Sequence, residues 1–245
     1  MQFSRVGEFD SRGMDPAGSA ADGRRLSERL FTIGHSHHEI ERFIALLRGA
    51  GVSAVADVRS SPYSARMPQF SQAELRRSLA SHSLAYIFLG DELGGRPRDP
   101  AVYDGDGRVD YWRVRCTTVF RGGVERLLHA IDEHSIALLC GEEDPLDCHR
   151  GLMIAPELVG RGICPRHVRA DGSIETTAQL ESRLCKITGV GGGMMNGLFA
   201  ASIAAAERAE LLDEAYREQA RRKAFRLPPG QSFAVIGGIE EFSTE

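Results

Sequence analysis

The sequence predicts an α/β fold of three layers: a mostly parallel central sheet, helices on both faces, and a C-terminal helical appendage. Three observations predict it. From Leu30 onward, short apolar runs alternate with segments of helical period. The connections between apolar runs are mostly long enough for right-handed parallel crossovers. Polar clusters rich in Cys, His, Asp and Arg follow the ends of those runs, where parallel strands expose their carboxyl ends to a common crevice.

Residues 1–25 are rich in Gly, Asp, Ser and Arg with little apolar periodicity, and read as an irregular lead-in. LFTIG, from Leu30, is the first strand. HHEIERFIALLRGAG follows as a helix because Ile40, Phe43, Ile44 and Leu47 share one face, with Gly49 and Gly51 as stop signals. VSAVADV (52–58) is the second strand and SQAELRRSLASH the next helix, with Ser71 and Glu74 at capping-box spacing and Leu75 and Leu79 as its stripe. LAYIFL (84–89) is the third strand.

The stretch of about 30 residues from Gly90 is long for an α/β connection, and is a flap, a partly helical excursion or an inserted hairpin. Val124, Leu127, Leu128 and Ile131 mark another helix. SIALLC is a further strand, and RGLMIAPELVG a helix that Pro156 bends or breaks. A fifth, edge strand is expected at 165–170, before the turn at Asp171 and Gly172.

Beyond it the pattern weakens. TTAQLESRLCKI reads as a short helix, GVGGGMMNG as a hinge, and 198–225 as an alanine-rich helix with Leu211, Leu212, Ala215 and Tyr216 near one face. Glu207, Glu210, Glu214, Arg217, Arg221 and Arg222 form its solvated side. The chain thus divides into a lead-in (1–25), an α/β domain (26–173) and an appendage (174–245). The appendage packs on the sheet, swaps between subunits in a homo-oligomer, or meets a partner.

Composition bounds the function. The 245 residues are 42% hydrophobic and 26% charged, with net charge −4, which suits one substantial core plus a small appendage. No polybasic character marks a nucleic-acid binder, although a local arginine patch leaves that partner open. No apolar run reaches the roughly 20 residues of a membrane span, and the N-terminus lacks the apolar region of a secretory signal, so a cytoplasmic location is expected. The five cysteines, at 116, 140, 148, 164 and 185, show no spacing of a small secreted domain and read as reduced thiols.

The densest chemistry lies in LLCGEEDPLDCHR (138–150). Cys148, His149 and Arg150 fall at a helix start, where unpaired amides favour a thiolate or bind an anion. The bland alternative makes Cys148 a small buried residue and Arg150 the partner of Glu142 or Glu143. A phosphatase-type loop is disfavoured, because after five intervening residues Cys140 is followed by Leu146 rather than arginine. Cys140, Cys148, His149 and His35 together are a candidate ligand set for a divalent metal such as zinc.

ADVRSSPYSAR (56–66) ends the second strand. There Asp57 serves as acid, base or orienting group, or simply pairs with Arg59 or Arg66 to pin the loop. His35 titrates near neutrality or ligates metal. Gly94, Gly95 and Arg96 allow close backbone approach to an anion without forming a nucleotide fingerprint. Tyr63, Phe70, Trp112 and Phe120 line a pocket or pack a lid, and Tyr111 and Trp112 beside Arg113 and Arg115 suit either base stacking or a hydrophobic anchor.

TIGHS, DVRSSPYSARMPQF, LGDELGGRP and LLCGEEDPLDCHR, in this order, resemble the DUF488 family of uncharacterised bacterial and archaeal proteins, from about Leu30 to Ser173. By resemblance the positions carried over are His35, Asp57, Arg59, Arg66, Gly94, Gly95, Arg96, Cys140, Glu142, Cys148, His149 and Arg150, with no reaction attached. The reading is an enzyme acting on an anionic, phosphorylated or nucleotide-like substrate. Cys148, His35, Asp57 and Glu142 are its catalytic candidates. Arg59, Arg66, Gly94, Gly95, Arg96, Trp112, His149 and Arg150 form the substrate site, with Trp112 over the pocket. The alternatives are a nonenzymatic nucleotide or nucleic-acid binding module and a metal-binding protein.

Overall fold

The computed structural model describes residues 16–191 and 205–228, with side chains from residue 22. In chain order its regular elements are α1 (Pro16–Arg29), β1 (Leu30–Gly34), α2 (Ile40–Gly49), β2 (Ala54–Asp57), α3 (Gln72–Ser81), β3 (Ala85–Phe88) and α4 (Gly90–Leu93). They continue with α5 (Tyr111–Cys116), α6 (Thr118–Glu133), β4 (Ile136–Cys140), α7 (Ala155–Gly160), β5 (Arg166–Val168), β6 (Ile174–Thr176), α8 (Thr177–Thr188) and α9 (Ala205–Lys223). The strands form one sheet in the order β3-β2-β4-β1-β5-β6, parallel except for β6. The expected architecture holds.

Strand alternation explains the layers. Leu30, Ala54, Ala56, Ile136 and Leu138 point to a core completed by α6, α8 and α9, while Phe31, Ile33, Val55, Ala137 and Leu139 point to a second core with Phe43, Leu47, Leu75 and Leu79 of α2 and α3. Strands covered on both faces read as continuous apolar runs, and each fully buried Leu or Phe contributes about 1.5–3 kcal/mol.

Several expectations are corrected. Residues 16–25 belong to helix α1 rather than to an irregular lead-in, its Leu26 packing into the core; residues 1–15 lie outside the described residues. β5 is not the edge, because β6 adds antiparallel beyond it. Ser71 makes no cap; its Oγ accepts instead from Ser64 N at 3.2 Å. The reciprocal capping box forms at Thr176 and Gln179, at the start of α8.

Other details refine the reading. The helix around Pro156 does deviate: a π-helical turn at Arg150–Ile154 precedes α7, which carries the proline in its first turn, where the missing amide costs least. The long segment after β3 is a partly helical excursion containing α4, a short 3-10 turn and α5. The hinge expected at 189–197 falls largely outside the described residues. Leu180, Leu184, Ala215, Tyr216 and Ala220 place α8 and α9 against the main core. No described helix is long and apolar enough to cross a membrane.

Candidate functional site

Parallel register sets the site. Gly34 is paired with Cys140 and Asp57 with Leu139, so β1, β4 and β2 end side by side. The ladder runs on into the loops: His35 N and Ser36 N donate to Cys140 O and Gly141 O at 2.9 and 2.8 Å, and Val58 N donates to Leu139 O at 3.1 Å. Glycine is needed at position 34 because a Cβ there would stand 1.8 Å from Glu142 O. His35, Val58 and the loop from Gly141 are thereby held at one edge, around a cavity of about 440 Å³.

On its floor, Cys140, Cys148 and His149 bring two sulfurs and an imidazole nitrogen within 4.8 Å of one another. His149 Nε2 stands 2.9 Å from Val58 O, which can only accept, so Nε2 carries a proton. Nδ1 then faces the sulfurs of Cys140 at 3.6 Å and Cys148 at 3.7 Å. Cys148 Sγ also lies 3.5 Å from the donating amide of Arg150, and Cys140 donates to Glu142 Oε2 at 3.0 Å. Cys148 is only 3% exposed, yet it lines the cavity.

The electrostatics are coupled. A hydrogen bond with Cys148, then burial, pushes the Cys140 thiol well above its ordinary range. Burial opposes a charged imidazole at His149, but a sulfur anion at Cys140, the Val58 carbonyl and Glu142 outweigh it and raise the group. The protonation of Cys140 and His149 is therefore coupled, each responding to the charge on the other. Burial likewise works to raise Glu142, and its hydrogen bond from Cys140 holds it below the usual carboxylate value. His35 is pulled down to about 4, first by burial and then by Arg59, and is neutral at neutral pH. Its ring stacks on Phe70 at 4.5 Å, with Nδ1 on Ser36 O at 3.0 Å.

Asp57 is fully buried and does not line the cavity. It holds Arg59 in a fork, accepting from Nε at 2.8 Å and Nη2 at 2.6 Å, and takes Tyr86 Oη at 2.8 Å. Arg59 thus stands on the cavity wall with Nη1 outside that fork. Arg96 joins it there, its backbone N–H bonded to Ser60 Oγ at 2.9 Å and its guanidinium stacked 4.6 Å from the Phe225 ring. Gly95 packs against His149, where a Cβ would meet the ring at 2.8 Å.

Of the sequence-predicted residues, His35, Arg59, Gly95, Arg96, Cys140, Glu142, Cys148 and His149 converge on the cavity. Others do not. Arg150 is wholly buried, donating to Glu142 O and Glu143 O at 2.6 Å each and to Thr32 Oγ1 at 3.2 Å, so it braces the loop through carbonyls instead of reaching an anion. Trp112 does not cover the cavity: Nε1 donates to Asp213 at 2.9 Å and Arg217 stacks on its ring, anchoring α9. Arg66 is exposed outside the lining, Gly94 packs on Ser60, and His35 is not part of the Cys–His donor group.

Sequence reasoning missed Lys223 and Phe225, which the end of α9 brings to the cavity wall, and the hydroxyls of Ser60 and Ser61. Their only sequence signal was proximity of the serines to Arg59. Fold and site together define a doubly covered α/β protein with a thiol–imidazole centre at the carboxyl edge of its sheet. Residues 39–155 match the family described as Domain of unknown function DUF488, so the resemblance holds over β2 to β4 and the Cys-His-Arg triplet, while His35, α8 and α9 lie outside the match. No curated protein and no solved structure matches the chain.

Proposed function

We propose that this protein is an enzyme that acts on an anionic substrate, with Cys148 as nucleophile and His149 as its proton acceptor. The observation that carries the reading is His149 itself: one ring nitrogen is fixed on Val58 O and the other faces two thiols on a cavity floor. The Cys148 S–H proton passes to Nδ1, the sulfur forms a bond to the substrate's electrophilic atom, and the leaving group departs with the proton returned from Nδ1. Arg59 Nη1 and Arg96 hold the substrate's charge. Neutral His35 and ionised Glu142 orient groups at the floor.

Alkylation tests this reading without knowledge of the substrate. Anionic iodoacetate should modify Cys148 ahead of the exposed Cys116 and Cys164, and inorganic phosphate or Arg96→Ala should slow that reaction. Modification of the exposed cysteines alone would overturn the nucleophile. Phosphate binding that survives Cys148→Ser, without any Cys148 reactivity, would instead favour a nonenzymatic binding module.

One observation favours a second reading, a metal centre. Ligand lengths of about 2.3 Å to sulfur and 2.0–2.1 Å to nitrogen place tetrahedral N and S ligands about 3.6 Å apart, close to the 3.6 and 3.7 Å found. The Val58 bond is also the outer contact a metal-bound histidine uses. Cys140, Cys148 and His149 would hold a zinc-like ion whose fourth position opens to the cavity and polarises a bound anion or water. Elemental analysis showing about one ion per chain, lost on Cys148→Ser and on His149→Ala, would establish it; a metal-free protein with a reactive Cys148 would remove it.

A further inference from the structure

The segment from Lys223 to Leu227 lies outside the DUF488 match, yet it puts an aromatic ring and a cation on the cavity wall. We infer that this segment, with Tyr63, is a specificity wall that selects anions carrying a planar ring, nucleoside monophosphates being the class that fits. The inference rests on the anion-binding reading of the cavity and adds what lies beside the anion.

The wall is built, not draped. Val109 N donates to Phe225 O at 2.9 Å and Leu227 N to Gly107 O at 2.8 Å, so the chain after α9 is laced to the excursion between β3 and α5. Arg226 Nε adds a bond to Asp106 O at 2.8 Å. Gln219 Nε2 donates to Leu146 O at 3.0 Å, tying α9 to the loop that carries Cys148. Phe225 is therefore placed relative to the cavity floor by bonds from two sides.

Its chemistry is that of ring and charge together. The Arg96 guanidinium sits over the Phe225 ring, its Cζ 4.6 Å from the centroid, so a ring and a cation that can hold an anion stand together at the wall. Lys223 Nζ is paired with Asp147, one residue from Cys148, at 2.9 Å, so both charges of that pair stand at the wall. Tyr63 is 73% exposed although it lines the same cavity, beside the hydroxyls of Ser60, Ser61 and Ser64. An exposed aromatic with polar neighbours is a stacking platform for a base. A cavity of about 440 Å³ exceeds what a lone phosphate fills and falls in the range of small-molecule sites.

Calorimetric titration of the full-length protein with AMP, ribose 5-phosphate and inorganic phosphate tests the inference. AMP should bind at least about tenfold more tightly than ribose 5-phosphate, since stacking is the only added contact. Tyr63→Ser should erase that preference while leaving ribose 5-phosphate affinity unchanged, and Phe225→Leu, which also removes the ring beneath Arg96, should weaken AMP more than ribose 5-phosphate. Equal affinity of wild type for AMP and ribose 5-phosphate overturns the wall and leaves the anion site standing. So does a loss in either variant that is equal for all three probes. Failure of all three probes to bind the wild type overturns both readings.

Discussion

The floor of the cavity is buried at Cys140, Cys148, His149 and Arg150 and bonded to the neighbouring strand ends, whereas the wall is half exposed and held mainly through backbone bonds around Phe225. The floor lies within the DUF488 match and the C-terminal part of the wall outside it. Groups that do chemistry need fixed geometry in a dry setting, which makes them inseparable from the core. Groups that discriminate ligands need only a firm backbone behind a free side chain. Substitutions in the floor should therefore cost stability and function together, and those of the wall rings Tyr63 and Phe225 should change selectivity at little cost in stability.

Arg150→Met is the harshest test of that contrast. It leaves the Glu142 and Glu143 carbonyls without their Arg150 donors and removes one of the partners of Thr32, and should lower unfolding free energy by about 3–5 kcal/mol in urea denaturation; a loss under about 1 kcal/mol would mean that the floor is not held this way. Gly95→Ala drives a methyl into the His149 ring. An overpacking cost of about 1–3 kcal/mol is expected, with slower Cys148 alkylation, read together by thermal melting and mass spectrometry.

The ion network joining the floor loop to α8 predicts a pH effect. Burial works to raise Asp144, but Arg183, the Leu146 amide and Arg169 override it and hold the carboxyl down at about 2. Because the folded value is depressed, its contribution is present above the unfolded value of about 3.9 and disappears as pH falls through about 2. Asp144→Asn should cost about 1 kcal/mol at neutral pH, and the difference from wild type should vanish in strong acid. A difference that persists there would assign it to packing. Phe225→Leu should change stability by less than about 1 kcal/mol while altering ligand preference. Arg66→Ala, exposed and outside the cavity lining, should fall within about 0.5 kcal/mol of wild type and leave phosphate affinity intact.

The strands and the clustering of His35, Arg59, Arg96, Cys148 and His149 were legible because a parallel sheet writes both into the chain: apolar runs, then polar residues at their ends. What was illegible depended on partners far away in sequence. Nothing local to Arg150 indicates that its donors find carbonyls instead of a ligand, and nothing near Trp112 shows that it meets Asp213 and Arg217. β6 is three residues long, too short for a periodicity signal. The helical composition around Lys223 suggested a solvated face, and only its pairing with the excursion turns that end toward the cavity. Conversely, Ser71 and Glu74 have the spacing of a capping box, but Ser64 claims the hydroxyl first.

The arrangement of His149 is the claim on which both chemical readings stand, and nitrogen-15 NMR of its imidazole addresses it directly. The account predicts a proton held on Nε2 at neutral pH and an Nδ1 resonance that shifts when either Cys140 or Cys148 is replaced by serine. An Nε2 without a proton, or an Nδ1 indifferent to loss of both sulfurs, would contradict it.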